Sequence, residues 1–328
     1  MEYSKLGTSD LLVSRIGLGC MGFGKQTAHH SWTIDQLAAQ EIIKRALDLG
    51  INFFDTALVY ADGTSEKYLG QAIKNFTKRE DVIIASKFPV RSPEEIANQV
   101  SGQEHVANML EQSLTNLGMD YLDLYICHMW DYQTPMAEVM EGMHQAVVAG
   151  KVRAIGISNC YAWQLAELNC LAEMNGWTKF VSIQGHYNML FREEEREMVP
   201  YCQQANIALT PYSPLASGRL VKDASETSPR LIADQIAKMK YDQTLAQDQL
   251  IIQRVAEIAE KRKLSRTQVA LGWLLQKSTA PIVGATKISH IEAAVAAVGI
   301  TFSPAEMIYL EEAYQPHELV GVMAFNGK

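Results

Sequence analysis

Much of what narrows this chain is missing from it. No block of Lys and Arg is present, and the formal charge over 328 residues is −8, so the basic surface that grips phosphate backbones is lacking. No apolar run is long enough to span a bilayer, and the opening Met-Glu-Tyr-Ser-Lys-Leu-Gly lacks the charged-then-apolar layout of a secretory leader. The five cysteines, Cys20, Cys127, Cys160, Cys170 and Cys202, are scattered, with no CxxC pair. That excludes a zinc ribbon and points to a reduced, cytoplasmic protein; Cys20 and Cys127, close to candidate site residues, read as buried structural thiols rather than oxidant sensors. HxH and HExxH spacings are also absent. The adjacent His29-His30 point in different directions and read as an exposed loop, so no metal is expected.

What is present is a rhythm. Short apolar runs alternate with helical periodicity from Arg15 onward. The strands are expected at Ile16–Gly19, Ile51–Asp55, Val82–Lys87, Leu122–Cys127, Ala154–Ser158, Val181–Gln184, Ile207–Pro211 and Ala280–Gly284. Helices follow each: one to Leu49 capped by Thr33 with Gln36, then Ser65–Phe76, Val106–Leu117, Met136–Ala149, Ala162–Asn175 and Glu193–Ala205. Leu250–Lys261, Arg266–Leu275, Ile291–Val298 and Pro304–Tyr314 complete the set. Strands buried on both faces read as continuous apolar runs, and these do. Eight such units without a linker predict one domain over 1–328, an α/β (β/α)8 TIM barrel. It would carry an N-terminal β-hairpin around Leu6–Val13 and extra C-terminal helices. The polar stretch 216–249 has no readable period.

Gly17-Leu18-Gly19-Cys20-Met21-Gly22 matches GxGxxG after a strand, but Phe23 to His30 has no helical period. A dinucleotide fingerprint needs a helix opening inside the motif, so the Rossmann reading fails. The glycines fit a tight turn or a close backbone approach to a ligand.

Four polar residues stand at or just beyond strand ends: Asp55, Tyr60, Lys87 and His128. In a parallel barrel those ends share the face on which loops build active sites. Singly, each has a bland account as a packed phenol, a solvated charge or a structural histidine. Together, at three consecutive strand ends, they form acid–base equipment for a carbonyl. A free phenol titrates near ~10, and a neighbouring ammonium is expected to lower that. Asp55 keeps the lysine charged and in place, and His128 orients the C=O. The chain has no hydride of its own, so this chemistry requires a nicotinamide.

With these residues in view the chain resembles the aldo-keto reductase superfamily, from Leu6-Gly7-Thr8-Ser9-Asp10 to about residue 314. The matching motifs run in order: Gly17–Gly24, Asn52-Phe53-Phe54-Asp55-Thr56-Ala57, Tyr60 with Gly63-Thr64-Ser65-Glu66, and Ser86-Lys87. Then come Leu117-Gly118-Met119-Asp120-Tyr121, His128, Gly156-Ile157-Ser158-Asn159, Gln184 with Tyr187-Asn188, and Tyr212-Ser213-Pro214-Leu215. The chain looks most like the bacterial branch with a longer segment after the seventh strand. The resemblance implies Tyr60 as general acid, tuned by Lys87 and Asp55, with His128 positioning the carbonyl. It implies Ser158, Asn159 and Gln184 on the nicotinamide carboxamide and Tyr212 stacked on the ring. Ser213, Leu215, Ser217 and Arg219 would run along the pyrophosphate, with Gly22 close by.

Gly284, Lys287 and His290 fall where the family binds the adenosine phosphate. Ala293 and Ala294 stand where an acidic residue and Asn commonly touch adenine, and Glu292 is one place too early. Lys287 favours NADP(H) over NAD(H). Phe23, Phe88, Trp130 and Tyr132 are the expected walls of an apolar substrate pocket, and His317, Leu319, Val320 and Phe325 are tail residues able to close its mouth. The expected activity is reduction of small aldehydes or ketones, with no nucleic acid or membrane partner. The alternative is a nicotinamide-binding regulatory subunit of the kind that associates with potassium channels.

Overall fold

The computed structural model describes residues 1–27, 31–222 and 234–325. His29 and His30 lie outside that set, as does the middle of the polar stretch. Two short strands, β1 (Tyr3–Lys5) and β2 (Leu12–Ser14), pair antiparallel. Eight parallel strands follow: β3 (Gly17–Gly19), β4 (Phe53–Asp55), β5 (Ile83–Phe88), β6 (Leu122–Cys127), β7 (Val152–Ser158), β8 (Phe180–Gln184), β9 (Ala208–Leu209) and β10 (Ile282–Gly284). Their order is β10-β3-β4-β5-β6-β7-β8-β9, so the sheet curls round in chain order from β3 to β9 and brings β10 back beside β3. The seam between β9 and β10 is carried by isolated backbone bonds: Thr279 N–H donates to the Leu209 carbonyl at 2.9 Å, and Ile282 N–H to that of Pro211 at 2.8 Å.

The alternation of side chains along each strand sorts two apolar layers. Phe53, Ile83, Ala85, Leu124, Ile126 and Ala154 fill the barrel. Phe54, Ile84, Phe88, Tyr125, Cys127 and Ile155 face the surrounding helices. Leu6, Leu11 and Val13 of the hairpin join the inner layer and close its lower end. Gly7 makes this possible. Its φ is +58°, and a Cβ there would lie 2.2 Å from the Val181 carbonyl oxygen, so only glycine lets the hairpin sit so close.

Period two then places the polar strand ends. Phe53 points inward, so Asp55 does. Ile83 and Ala85 point inward, so Lys87 does, and Phe88 must point out. Leu124 and Ile126 point inward, which carries His128 to the mouth. β8 breaks the period. Ile155 pairs with Phe180 but Gly156 pairs with Ser182, leaving Val181 as an extra residue. This bulge re-aims the strand, so Ser182 faces Gly156 and Gln184 enters the barrel.

Several helix ends differ from expectation. The first helix is Gln36–Asp48, capped by Asp35, whose carboxylate accepts from Ala38 N–H at 3.0 Å. Thr33 does not cap it, because Ile34 is drawn into an extended bridge with Phe23. The second, Thr64–Phe76, starts from left-handed Gly63 rather than from Ser65. The Ser65 hydroxyl instead donates to the Cys20 carbonyl at 2.8 Å. The single helix expected over Glu193–Ala205 is a 3-10 turn, Glu193–Glu195, and a helix, Met198–Ala205, broken at Glu197. Within the unread stretch, helix Gln235–Tyr241 and turn Asp242–Thr244 lead into Leu245–Arg262.

Candidate active site

The four polar residues singled out from the sequence meet at the upper mouth of the barrel. Lys87 is fully buried and its ammonium is saturated: it donates to Asp55 Oδ1 at 2.6 Å, to the Thr56 carbonyl at 2.7 Å and to Tyr60 Oη at 3.3 Å. Asp55 Oδ2 accepts from Gln184 Nε2 at 2.8 Å, so the re-aimed Gln184 holds the other side of that carboxylate. The His128 ring stands edge-on to the Tyr60 ring, with centroids 5.8 Å apart at 80°. Ala61 and Asp62, directly after Tyr60, take left-handed backbone (φ +47° and +53°), a local strain of the kind that gathers at functional sites.

The electrostatics correct one expectation. Burial raises the Tyr60 phenol above its ordinary value, outweighing the lowering influence of the Lys87 ammonium, and Asp55 raises it further. The phenol therefore holds its proton at neutral pH. Burial pulls the other way on Lys87, yet the charges of Asp55 and Tyr60 prevail and its pKa is raised. Burial, aided by Lys87, pushes His128 down to about 3, so the imidazole is neutral. Its Nδ1 is buried with no hydrogen-bond partner among the described residues. Burial, chiefly, raises Cys20 and pushes Cys127 up to about 12, which makes them poor nucleophiles beside the site.

Beside this corner, Ser158, Asn159 and Gln184 form one chain of bonds. Ser158 Oγ donates to the Gln184 carbonyl at 2.8 Å, and Asn159 Nδ2 donates to Ser158 Oγ at 2.8 Å and to the His128 carbonyl at 3.0 Å. Tyr212 Oη donates to Asn159 Oδ1 at 3.0 Å. One face of the Tyr212 ring stacks on His186, and the Lys240 ammonium lies 4.5 Å from its centroid. Ser213, Ala216, Ser217 and Gly218 all have positive φ (+54°, +49°, +54° and +98°), a tightly folded turn with Leu215 at its centre. Arg219 follows, ion-paired to Asp242 and lying over the Tyr241 ring, with its Nη1 buried and lacking a partner among the described residues.

Gly22 sits against the loop after β10, where a Cβ would come within 3.4 Å of the Thr286 methyl and 3.3 Å of Trp32. Gly284, the last residue of β10, and Lys287 and His290, at the start of helix Ile288–Val295, are exposed. A phosphate-bearing dinucleotide fits this donor set: a concave backbone turn, a buried guanidinium nitrogen to be satisfied, and a free-standing lysine at a helix N-terminus.

Other residues do not gather there. Phe88 packs outward on Tyr125 (4.9 Å between centroids), as its place next to inward Lys87 requires. Phe23 is fully buried in the same outer layer. Trp130 is half-buried and Tyr132 exposed, their ring centroids 6.4 Å apart. Glu292 pairs with Arg45 at 2.8 Å and is committed elsewhere. His317 is buried and bonded to Asp248 at 3.0 Å, while the Phe325 side chain lies outside the described set. Glu66, which the sequence offers only as part of the family motif Gly63–Glu66 and with no role, is buried behind β5 and accepts from Ser86 Oγ at 2.6 Å and Asn116 Nδ2 at 2.9 Å. Among the described residues there is no cluster of His, Cys, Asp or Glu able to hold a metal ion, and no helix is long and apolar enough to cross a membrane.

A profile of the aldo/keto reductase family matches residues 15–315. The chain belongs to the aldo/keto reductase family. It is 37% identical to an aldo-keto reductase of Fusarium vanettenii, over 98% of this chain and 93% of that one. It is 37% identical to the versiconal hemiacetal acetate reductase of Aspergillus parasiticus (96% and 98%) and to an aldo-keto reductase of Metarhizium robertsii (98% and 93%). These full-length likenesses to fungal proteins overturn the expected bacterial branch. The long segment after the seventh strand does not mark bacterial origin. As a member of this family the protein is an oxidoreductase of the carbonyl-reducing type.

Proposed function

We propose that this aldo/keto reductase works as a single-domain cytoplasmic enzyme that reduces small aldehydes or ketones with NADPH, using Tyr60 as general acid. The observation that carries the reading is the Lys87 ammonium bonded at once to Asp55, at 2.6 Å, and to the Tyr60 phenol, at 3.3 Å. A bound nicotinamide contributes hydride to the carbonyl carbon. The chain's own part is the proton. Tyr60 Oη gives it to the carbonyl oxygen, and Lys87 stabilises the phenolate left behind. Asp55, held by Gln184, fixes the lysine. Neutral His128 offers an N–H to the same carbonyl oxygen without adding a second positive charge beside Lys87.

Ser158, Asn159 and Gln184 supply both donors and acceptors for a carboxamide, and the Tyr212 ring forms the back of the slot. The turn Ser213–Gly218 with Arg219 receives the pyrophosphate. Lys287, at the N-cap of helix Ile288–Val295, receives a 2′-phosphate, which favours NADPH over NADH. Cytoplasmic placement is supported by five free cysteines, four of them buried.

The test is a panel of aldehydes and ketones with NADPH and NADH side by side, followed at the reduced-nicotinamide absorbance. Tyr60→Phe is expected to keep cofactor binding and lose roughly 10²- to 10⁴-fold in kcat. Undiminished turnover in that variant sinks the assignment. Negligible wild-type turnover together with a stable heteromeric partner in size-exclusion chromatography would favour the regulatory-subunit reading instead.

A further inference from the structure

The inner pocket walls expected from the sequence are thinner than they looked, because Phe23 and Phe88 are withdrawn into the outer layer. Aromatic surface is concentrated further out. Trp130 lies two residues beyond His128, so their Cα atoms are at most about 7 Å apart. Its ring is 6.4 Å from that of Tyr132 and 6.1 Å from that of Trp163, tilted at 58° and 54°. These are the spacings at which aromatic rings attract each other edge to face. Trp163 comes from a different strand end: it stands in the first turn of helix Ala162–Asn175, four residues past Asn159.

The assembly is pinned, yet open. Tyr132 and Trp163 are 51% and 55% exposed. Tyr132 cannot fold away, because its hydroxyl accepts from Gln164 Nε2 at 3.1 Å. Gln164 is fully buried, and its Oε1 accepts from the Tyr161 N–H at 2.9 Å, so the loop and the helix start are locked together. Here a buried amide holds a large ring in solvent, contiguous with the mouth that contains His128. Exposed apolar surface so placed marks a binding site.

We propose that Trp130, Tyr132 and Trp163 form an outer subsite that selects carbonyl substrates bearing a second, distal aryl ring, with Trp163 as its specificity-determining side chain. The proposal rests on the reductase reading: the carbonyl sits at Tyr60 and His128 while the distal ring reaches past Trp130. Trp163 touches no reacting atom and acts on KM, not on the chemical step.

The experiment compares butanal, benzaldehyde and biphenyl-4-carbaldehyde in wild type, Trp163→Ala and Trp163→Phe. The expected result is a rise of about tenfold in KM for the biphenyl aldehyde in Trp163→Ala, the loss of a ring-on-ring contact, with kcat kept. Butanal kinetics should stay within about twofold. Trp163→Phe should recover most of the loss. Equal losses on butanal and the biphenyl aldehyde, or no loss on either, overturn the proposal. Calorimetry of biphenyl-4-methanol binding without cofactor separates the two readings. If no carbonyl is turned over, the reductase reading fails, yet weaker binding to Trp163→Ala than to wild type still supports the subsite. Equal binding, or none to wild type, refutes it.

Discussion

The acid–base corner and the side of the same mouth proposed for the dinucleotide are built on opposite terms. At the ends of β4 and β5 the functional groups Asp55, Tyr60 and Lys87 are bonded to one another across neighbouring segments. Lys87 alone ties Asp55, Thr56 and Tyr60 together within 3.3 Å. After β9 the groups suited to a ligand are engaged with the chain's own later segment. Arg219 is paired with Asp242, and Lys240 occupies a face of Tyr212. Lys287 and His290 stand exposed. The chemistry is preorganised, whereas binding must exchange internal partners for external ones. Changes in the first region should strike kcat and stability, and changes in the second should strike cofactor KM.

Lys87→Met is the hardest test of that contrast. It leaves a buried carboxylate without its cation, a change that costs about 3–5 kcal/mol, and it strips Tyr60 of its electrostatic support. Both denaturant midpoint and kcat should collapse. A stable, active variant would show that the corner is not preorganised by this contact. The pH profile is the next. Because Tyr60 must be protonated to act and its pKa is raised, carbonyl reduction should hold through neutral pH and fall only above the ordinary tyrosine range.

His128 supplies a stability counterpart. Its folded value, about 3, lies below the usual histidine value of 6.5, so between these limits the unfolded chain takes up a proton that the folded one refuses. Stability should therefore fall as pH drops from 6.5 towards 3. In His128→Asn that part of the slope should vanish in urea titrations at pH 7, 5 and 4.

On the other side, Lys287→Ala should raise KM for NADPH by roughly ten- to a hundredfold, the loss of one charged hydrogen bond, and leave NADH untouched. Asp242→Asn is the mildest. Freeing Arg219 from a half-exposed partner is worth under about 1 kcal/mol, so NADPH should bind up to about fivefold tighter, visible by fluorescence titration.

The sequence made the strand ends legible because buried parallel strands leave continuous apolar runs, and the inward set Asp55, Lys87 and His128 follows from alternation alone. The same alternation condemns Phe88 as a pocket wall, since a neighbour of an inward lysine must face out. Gln184 was reachable only by family resemblance, because the Val181 bulge that turns it inward has no local signature. The Tyr60 shift is a sum of opposing effects of burial and charge, and burial is a property of the folded surroundings. The stretch holding Lys240 and Asp242 resisted reading because its polar residues find partners some 20 to 30 positions back in the chain.

The hairpin of Tyr3–Ser14, wedged under the barrel by Gly7, acts as a stopper. Whatever reaches the top has no rear exit. On the proposed reading, cofactor and carbonyl must therefore both enter and leave by the upper mouth, past Tyr60.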